Sequence, residues 1–377
     1  FHACGRFEAA AGAGPIALAP QHVWPQAELL PDAAGVNLTP LTMGAGQRST
    51  FKVVRAVSEL ECQGFLDVVN AWDDAVISIG PCHWTFALPG GANKAPGELA
   101  GFAAFCEHAY PDAFEAVFTR YGLRPAQTWR QVDGSPTGRP MLTNQRKYVG
   151  WWSRPDRPGT AIPSDAATAD RFRSWHWVHR FQMAARTHPR WRSAMYDMAR
   201  IRLRDVLSCP WGKTTGADGV PDIAGRPATI GDVVTSERAV ALVHRWHIFR
   251  PADMIAANAA GPVLRAALAA VGRPAGDPAT WADAFDGQYV NQLLAALPGG
   301  IGDMNGLVRW PQWGANPRGY ALDRTGFEST PAVVPPGYTP PDDITVAGGL
   351  LSAHRASFLL DASGLPPAPD YANPGAP

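Results

Sequence analysis

The chain has 377 residues, with 33 Lys and Arg against 33 Asp and Glu, and is 46% hydrophobic but only 18% charged. Those proportions exclude a disordered chain and a coiled coil, and the length is enough to bury a sizeable core. No uninterrupted apolar run is long enough to cross a membrane, and the 5 cysteines, scattered and without a Cys-x-x-Cys, suit neither a disulfide framework nor a zinc ribbon.

Residues 1–45 are rich in Ala, Gly and Pro, show no sustained period or recognisable leader pattern, and read as an extended arm. A helix is expected over 50–72. A strand or hairpin follows over 76–88, where β-branched and aromatic residues concentrate. Helices at 97–109 and 111–122 precede a hairpin around 129–141, whose Asp-Gly-Ser-Pro-Thr-Gly run is turn-forming. Two strong helices occupy 165–187 and 190–207, separated by Pro189. Others are expected near 235–248, 251–272 and 279–297. The expected class is mainly α (α+β): an arm over 1–45, an α-rich domain over 46–300 with a small β-hairpin, and a Pro/Gly-rich wrapping segment over 301–377.

The even charge balance conceals an asymmetry. Residues 120–213 hold 18 Lys and Arg against 6 Asp and Glu, and half of the 14 tryptophans. Such a stretch suits an anionic polymer, nucleic acid or acidic glycan, or else pairs internally with the acidic flanks. Internal ion pairing is also the plainer account of Asp197 and Asp205 among the arginines of 190–207.

The segment from Phe51 to Thr85 carries the most chemistry. At 100° per residue Val54, Val57 and Ser58 share one helix face, and Glu61 falls between Val54 and Val57, while Glu59 points away. A carboxylate at the end of an apolar stripe is costly to ionise, which raises its pKa, as a general acid near neutral pH requires. The bland alternative is a helix-terminal glutamate that reaches water or caps a neighbour. After it come a Gly-containing turn, Asp73-Asp74, Ser78-Ile79-Gly80, His83 and Thr85. This order resembles the lysozyme-like superfamily, in whose T4-type muramidases a glutamate closes the first helix and a hairpin with an aspartate and Thr-Ile-Gly-x-Gly-His follows. Ser78-Ile79-Gly80 is also similar to the Ser-x-Gly-x-x-Gln of lytic transglycosylases, with His83 near the place of the glutamine. Gly97-Glu98-Leu99 adds a helix start of the expected kind. Two departures stand out: Glu61 lies 12 or 13 residues before the aspartates, a longer gap than in T4-type chains, and Cys82 replaces the second glycine.

The resemblance covers roughly a tenth of the chain and implies a lysozyme-like helical domain that cleaves the β-1,4 bonds of peptidoglycan without a cofactor. Glu61 would be the general acid. Asp73 or Asp74 would stabilise the oxocarbenium-like state or position water. Ser78, His83, Trp84 and Thr85 would contact substrate, with Ser78 and Thr85 holding water or a sugar hydroxyl. His83 reads equally as an ordinary hairpin residue. Hydrolase and transglycosylase both fit, since the latter needs one carboxyl. Site of action would be the cell wall, reached by a secreted, periplasmic or virion-associated protein, with a larger phage, injection or secretion assembly as a further partner. The alternative is a non-catalytic glycan-binding component of such an assembly, and nucleic-acid binding through 120–213 ranks third.

Other patterns carry less. Trp151-Trp152, beside Arg154, are the best aromatic candidates for a sugar subsite, ahead of Trp175 and Trp177. His176/His179 and His244/His247 are i,i+3 pairs, but neither has the spacing or carboxylate of a zinc site, so no metal is expected. No phosphate-binding glycine loop or Gly-x-Ser-x-Gly elbow occurs. Cys62 and Cys82 lack an obvious catalytic His–Asn/Asp setting beyond His83.

Overall fold

The computed structural model describes residues 6–7, 16–17, 44–62, 66–71, 75–86, 97–126, 141–142, 148–163, 165–209, 228–251, 267–272, 277–285, 288–289, 292, 351–352 and 354–366. Most of these are helical, with a few small strands. No helix among them is long and apolar enough to cross a membrane.

The first helix, α1 (Ala45–Glu61), is shorter than its apolar pattern predicts. It closes at Glu61, where the Cys62 amide donates to the Ser58 carbonyl at 2.8 Å. Beyond it, the β-branched pair Val68-Val69 favours extended backbone, and Val69–Asn70 forms strand β3. β3 joins β4 (Ser78–Ile79) and β5 (Trp84–Thr85) in an antiparallel sheet of order β3-β4-β5. Its register pairs Asn70 with Ser78 and Ser78 with Thr85, and Val69 with Ile79 and Ile79 with Trp84. Strand alternation therefore gives one polar row and one apolar row.

The β4–β5 turn is built on Gly80, at φ +74, and His83, at φ +49. The His83 amide donates to the Gly80 carbonyl at 3.0 Å. A Cβ on Gly80 would lie 2.6 Å from the Trp84 ring, so position 80 requires glycine for both conformation and space.

Two helices follow, α2 (Glu98–Ala109) and α3 (Pro111–Val117), then a 3-10 turn at Thr119–Tyr121. Gly97 pairs with Gly150 through two backbone hydrogen bonds, and a side chain there would strike the Phe86 carbonyl. Strand β6 (Arg124–Pro125) belongs with β9 (Trp152–Arg154) and β10 (Arg157–Ala161) to a second sheet, β10-β9-β6, and β7 (Met141–Leu142) pairs with β8 (Tyr148–Val149). A further two-stranded pair joins β1 (Arg6–Phe7) to β2 (Ile16–Ala17). Most of the hairpin expected at 129–141 lies outside the described residues.

The helix expected over 165–187 is two helices, α4 (Ala166–Phe172) and α5 (Trp175–Thr187). Ser174 between them is extended, at ψ 151, and its hydroxyl donates to the Arg171 carbonyl at 2.6 Å. Such a local bond competes with helix continuation. Pro189 separates α5 from α6 (Pro189–Leu207), because the residue before proline is steered to extended backbone while proline itself suits a first helical position. Short α7 (Ile230–Val233) and α8 (Glu237–Phe249) complete the bundle. Ser236 caps α8 by accepting from the Ala239 amide at 3.1 Å. In the two regions expected to be helical beyond Arg250, the described parts are short, at 251, 267–272, 279–285, 288–289 and 292.

Helix α6 is the hub and packs against α1, α2, α3, α5, α7 and α8. Trp191 on α6 lies among Phe102, Phe114 and Phe118, and Trp84 stacks on Phe102 at 4.5 Å. Because α6 is enclosed, its arginines must be satisfied internally. Arg202 pairs with Glu98, Arg204 with Asp205, and Arg200 with Asp197 and Asp361. Elsewhere in the basic stretch Arg186 pairs with Asp67 at 2.7 Å and Arg124 with Glu107 at 3.1 Å. Four acids from outside the basic stretch, Asp67, Glu98, Glu107 and Asp361, thus offset part of its positive charge within the fold.

Residues 354–366 run along the bundle. The Thr50 hydroxyl donates to the Leu359 carbonyl at 2.8 Å and accepts from the Asp361 amide at 2.7 Å. Arg355 reaches the Val233 and Pro278 carbonyls.

Candidate active site

Glu61 ends α1 facing two elements distant in sequence. Its Oε1 accepts from Arg245 Nη1 on α8, and its Oε2 lies 3.9 Å from His83 Nδ1 on the β4–β5 turn. The carboxylate is 5% exposed, the Arg245 side chain 8% and the His83 side chain 26%, so the cluster reaches solvent mainly along the imidazole. His83 adopts left-handed backbone, and its neighbour Cys82 is fully buried.

Directly beneath lies a second buried layer. Cys82 Sγ is 3.8 Å from His244 Nε2, both groups being inaccessible. Burial raises the Cys82 thiol pKa above its ordinary value, with Glu61 and Glu98 adding to the rise and Arg202 opposing it. Burial also depresses His244 to about 3, and Arg202 pushes in the same direction. The pair is therefore a neutral thiol against a neutral imidazole at neutral pH, which is the wrong ionisation for a cysteine nucleophile. Arg202 holds the floor. Its Nε donates to His247 Nδ1 at 3.1 Å, its Nη2 to the His247 carbonyl at 2.9 Å, and its Nη1 to Glu98 Oε1 at 2.8 Å. Accepting at Nδ1 leaves His247 with its proton on Nε2.

The His244/His247 pair thus serves hydrogen bonding rather than coordination, and in the other pair His176 Nε2 accepts from Arg180 Nε at 3.2 Å. Among the described residues no group of three or more His, Cys, Asp or Glu is arranged to hold a metal ion.

Of the residues singled out from sequence, Glu61 and His83 are brought together. Ser78 and Thr85 sit in the polar row beside the turn. Ser78 is 1% exposed and its hydroxyl finds no hydrogen-bond partner among the described residues, whereas Thr85 is partly exposed. Trp84 and Trp152 are each 2% exposed. Trp84 stacks on Phe102, and Trp152 on Phe86 with Phe181 at its edge, so neither offers a face to a sugar. Trp151 is partly exposed. Asp73 and Asp74 lie outside the described residues. Sequence reasoning missed Arg245, although it lies between the two histidines of a motif weighed for metal. It also missed Arg202, hidden among similar arginines, and the Cys82–His244 contact. No spacing rule links those residues, because the helices that bring them together are far apart in the chain.

No known protein family, no curated protein and no solved structure matches this chain.

Proposed function

We propose that the helix–hairpin unit is a glycoside-cleaving site of the lysozyme-like type, acting on peptidoglycan with Glu61 as proton donor. The observation that carries this reading is the position of the Glu61 carboxyl, held at a helix end between a guanidinium and the imidazole of a following hairpin turn. In the reaction Glu61, ion-paired with Arg245 in the resting protein, first takes up a proton by way of His83 and then passes it to the glycosidic oxygen as the C1–O bond breaks. Arg245 then stabilises the carboxylate left behind. His83, the most exposed of the three, connects the carboxyl to solvent for its reprotonation. A second carboxyl that activates water would come from Asp73 or Asp74. With none, the sugar's own 6-hydroxyl closes on C1, its proton returns to Glu61, and the product is anhydro-ended. The test is to incubate the protein with purified peptidoglycan and analyse the soluble ends. Reducing ends identify a hydrolase, anhydro ends a transglycosylase, and no soluble product from folded protein counts against the reading.

One observation favours a second reading. A carboxylate only 5% exposed and committed to Arg245 also suits a structural ion pair in a non-catalytic wall-binding component of an assembly. That protein would bind peptidoglycan and release nothing. Nucleic-acid binding has weaker support, because Arg186, Arg200, Arg202 and Arg204 are spent on Asp67, Glu98, Asp197, Asp205 and Asp361, and Arg192 on backbone carbonyls.

A further inference from the structure

Trp175 is the first residue of α5 and is 69% exposed, although burying a Trp ring is one of the larger gains available to a fold. It is not isolated. Its ring lies 6.0 Å from that of His176 and 6.4 Å from that of His179. His176 accepts from Arg180, whose guanidinium lies over the Tyr121 ring at 3.1 Å and donates to the Val117 carbonyl. Tyr121 is itself 45% exposed. Trp175, His176, Arg180 and Tyr121 therefore form one continuous surface strip with an aromatic ring at each end and nitrogen donors between.

The strip is fixed to the same hairpin that carries His83. Arg173, two residues before Trp175, donates to the Ala75 and Val76 carbonyls at 2.6 and 3.1 Å, at the entry to β4. Trp175 is thereby anchored beside the chain that follows Asp73-Asp74. At the far end of α5, Arg186 is buried against Asp67.

We infer that this strip is a subsite for a glycan strand, with Trp175 stacking on a sugar ring and the Arg180–Tyr121 stack facing a carboxylate of the strand. The assignment rests on the peptidoglycan reading of the Glu61 site and extends it to a second surface. One open aromatic face, Trp175, beside one fixed cation stacked on Tyr121 matches a sugar polymer that carries occasional carboxylates. A nucleic acid presents a phosphate at every residue and calls for denser positive charge. Arg173 beside the strip is already engaged with the Ala75 and Val76 carbonyls, and burial, with Arg186 and Arg180 adding to it, lowers the His179 pKa.

The test is sedimentation of the full chain with purified, insoluble peptidoglycan, with released sugar assayed separately. Trp175→Ala and Tyr121→Ala are each expected to weaken retention about tenfold while leaving the thermal midpoint unchanged, and Trp175→Phe to restore most of it. Retention of Trp175→Ala equal to that of the parent protein would overturn the subsite. So would a parent protein that ignores peptidoglycan but binds single-stranded DNA through Trp175 with a steep salt dependence. Binding needs no turnover, so the two readings fail separately. Retention that depends on Trp175 without sugar release supports the strip and removes the catalytic role of Glu61. Release with Trp175-independent retention does the reverse.

Discussion

Glu61 and Arg245, 184 residues apart in the chain, form a buried ion pair that joins the last turn of α1 to α8. The pair fixes the candidate carboxyl against the bundle and leaves its second oxygen towards His83. Removing one partner of a buried pair strands the other charge, a loss of about 3–5 kcal/mol. Arg245→Met should lower stability to denaturant by about that amount. The double variant Glu61→Gln/Arg245→Met should lose clearly less than the two single changes added together. Additive losses in urea melts would mean that the pair contributes nothing as a unit.

The β4–β5 turn depends on Gly80. Alanine there must adopt φ +74 and place its Cβ against the Trp84 ring. Each of those penalties is on the order of 1–3 kcal/mol. Gly80→Ala should therefore unfold at markedly lower denaturant concentration and lose the near-UV signal of the packed Trp84. An unchanged midpoint would show that the turn tolerates a side chain.

His244 gives the fold a pH dependence of known sign. Its pKa falls from 6.5 to about 3 on folding. Between those values the unfolded chain binds the extra proton, so stability falls as pH drops from about 6.5 towards 3. The contribution is up to about 1.4 kcal/mol per pH unit. Carboxyls held high by burial, Glu107 and Asp197, act in the opposite direction. The informative quantity is accordingly the difference between the parent protein and His244→Gln. The variant should lose less stability on acidification, and parallel pH curves would contradict the buried neutral imidazole.

Thr50 ties the 354–366 segment to α1 through two hydrogen bonds, one given and one received. Thr50→Val keeps the shape and removes both, for a cost of about 1–3 kcal/mol. Limited proteolysis should then cut between residues 351 and 366 earlier than in the parent protein. Equal cleavage rates would place the hold elsewhere, on Arg200 and Arg355.

The sequence pattern reveals elements better than their meeting points. The helices expected at 97–109, 190–207 and near 235–248 from apolar period and proline placement lie at 98–109, 189–207 and 237–249. Val68 and Val69 continue the apolar pattern that carries the expected helix on to 72, and the short strand Val69–Asn70 satisfies that pattern equally well. Trp84 and Trp152 looked available to sugars because a lone sequence cannot distinguish a ring on the surface from one stacked on Phe102 or Phe86. Glu61 and His83 were legible since one local segment carries both. Arg245 and Arg202 were not, because only helix packing delivers them to that segment, and an arginine destined for a buried pair has the same local signature as a solvated one.

The central claim is that Glu61 donates a proton to a glycosidic bond, and the most direct measurement is the rate at which soluble sugar is released from purified peptidoglycan. Glu61→Gln keeps the size of the side chain and removes the proton. Compared at matched folded fraction with the parent protein, it should release sugar at least about a hundredfold more slowly, the scale of a lost general acid. Equal rates from the two proteins would contradict the account.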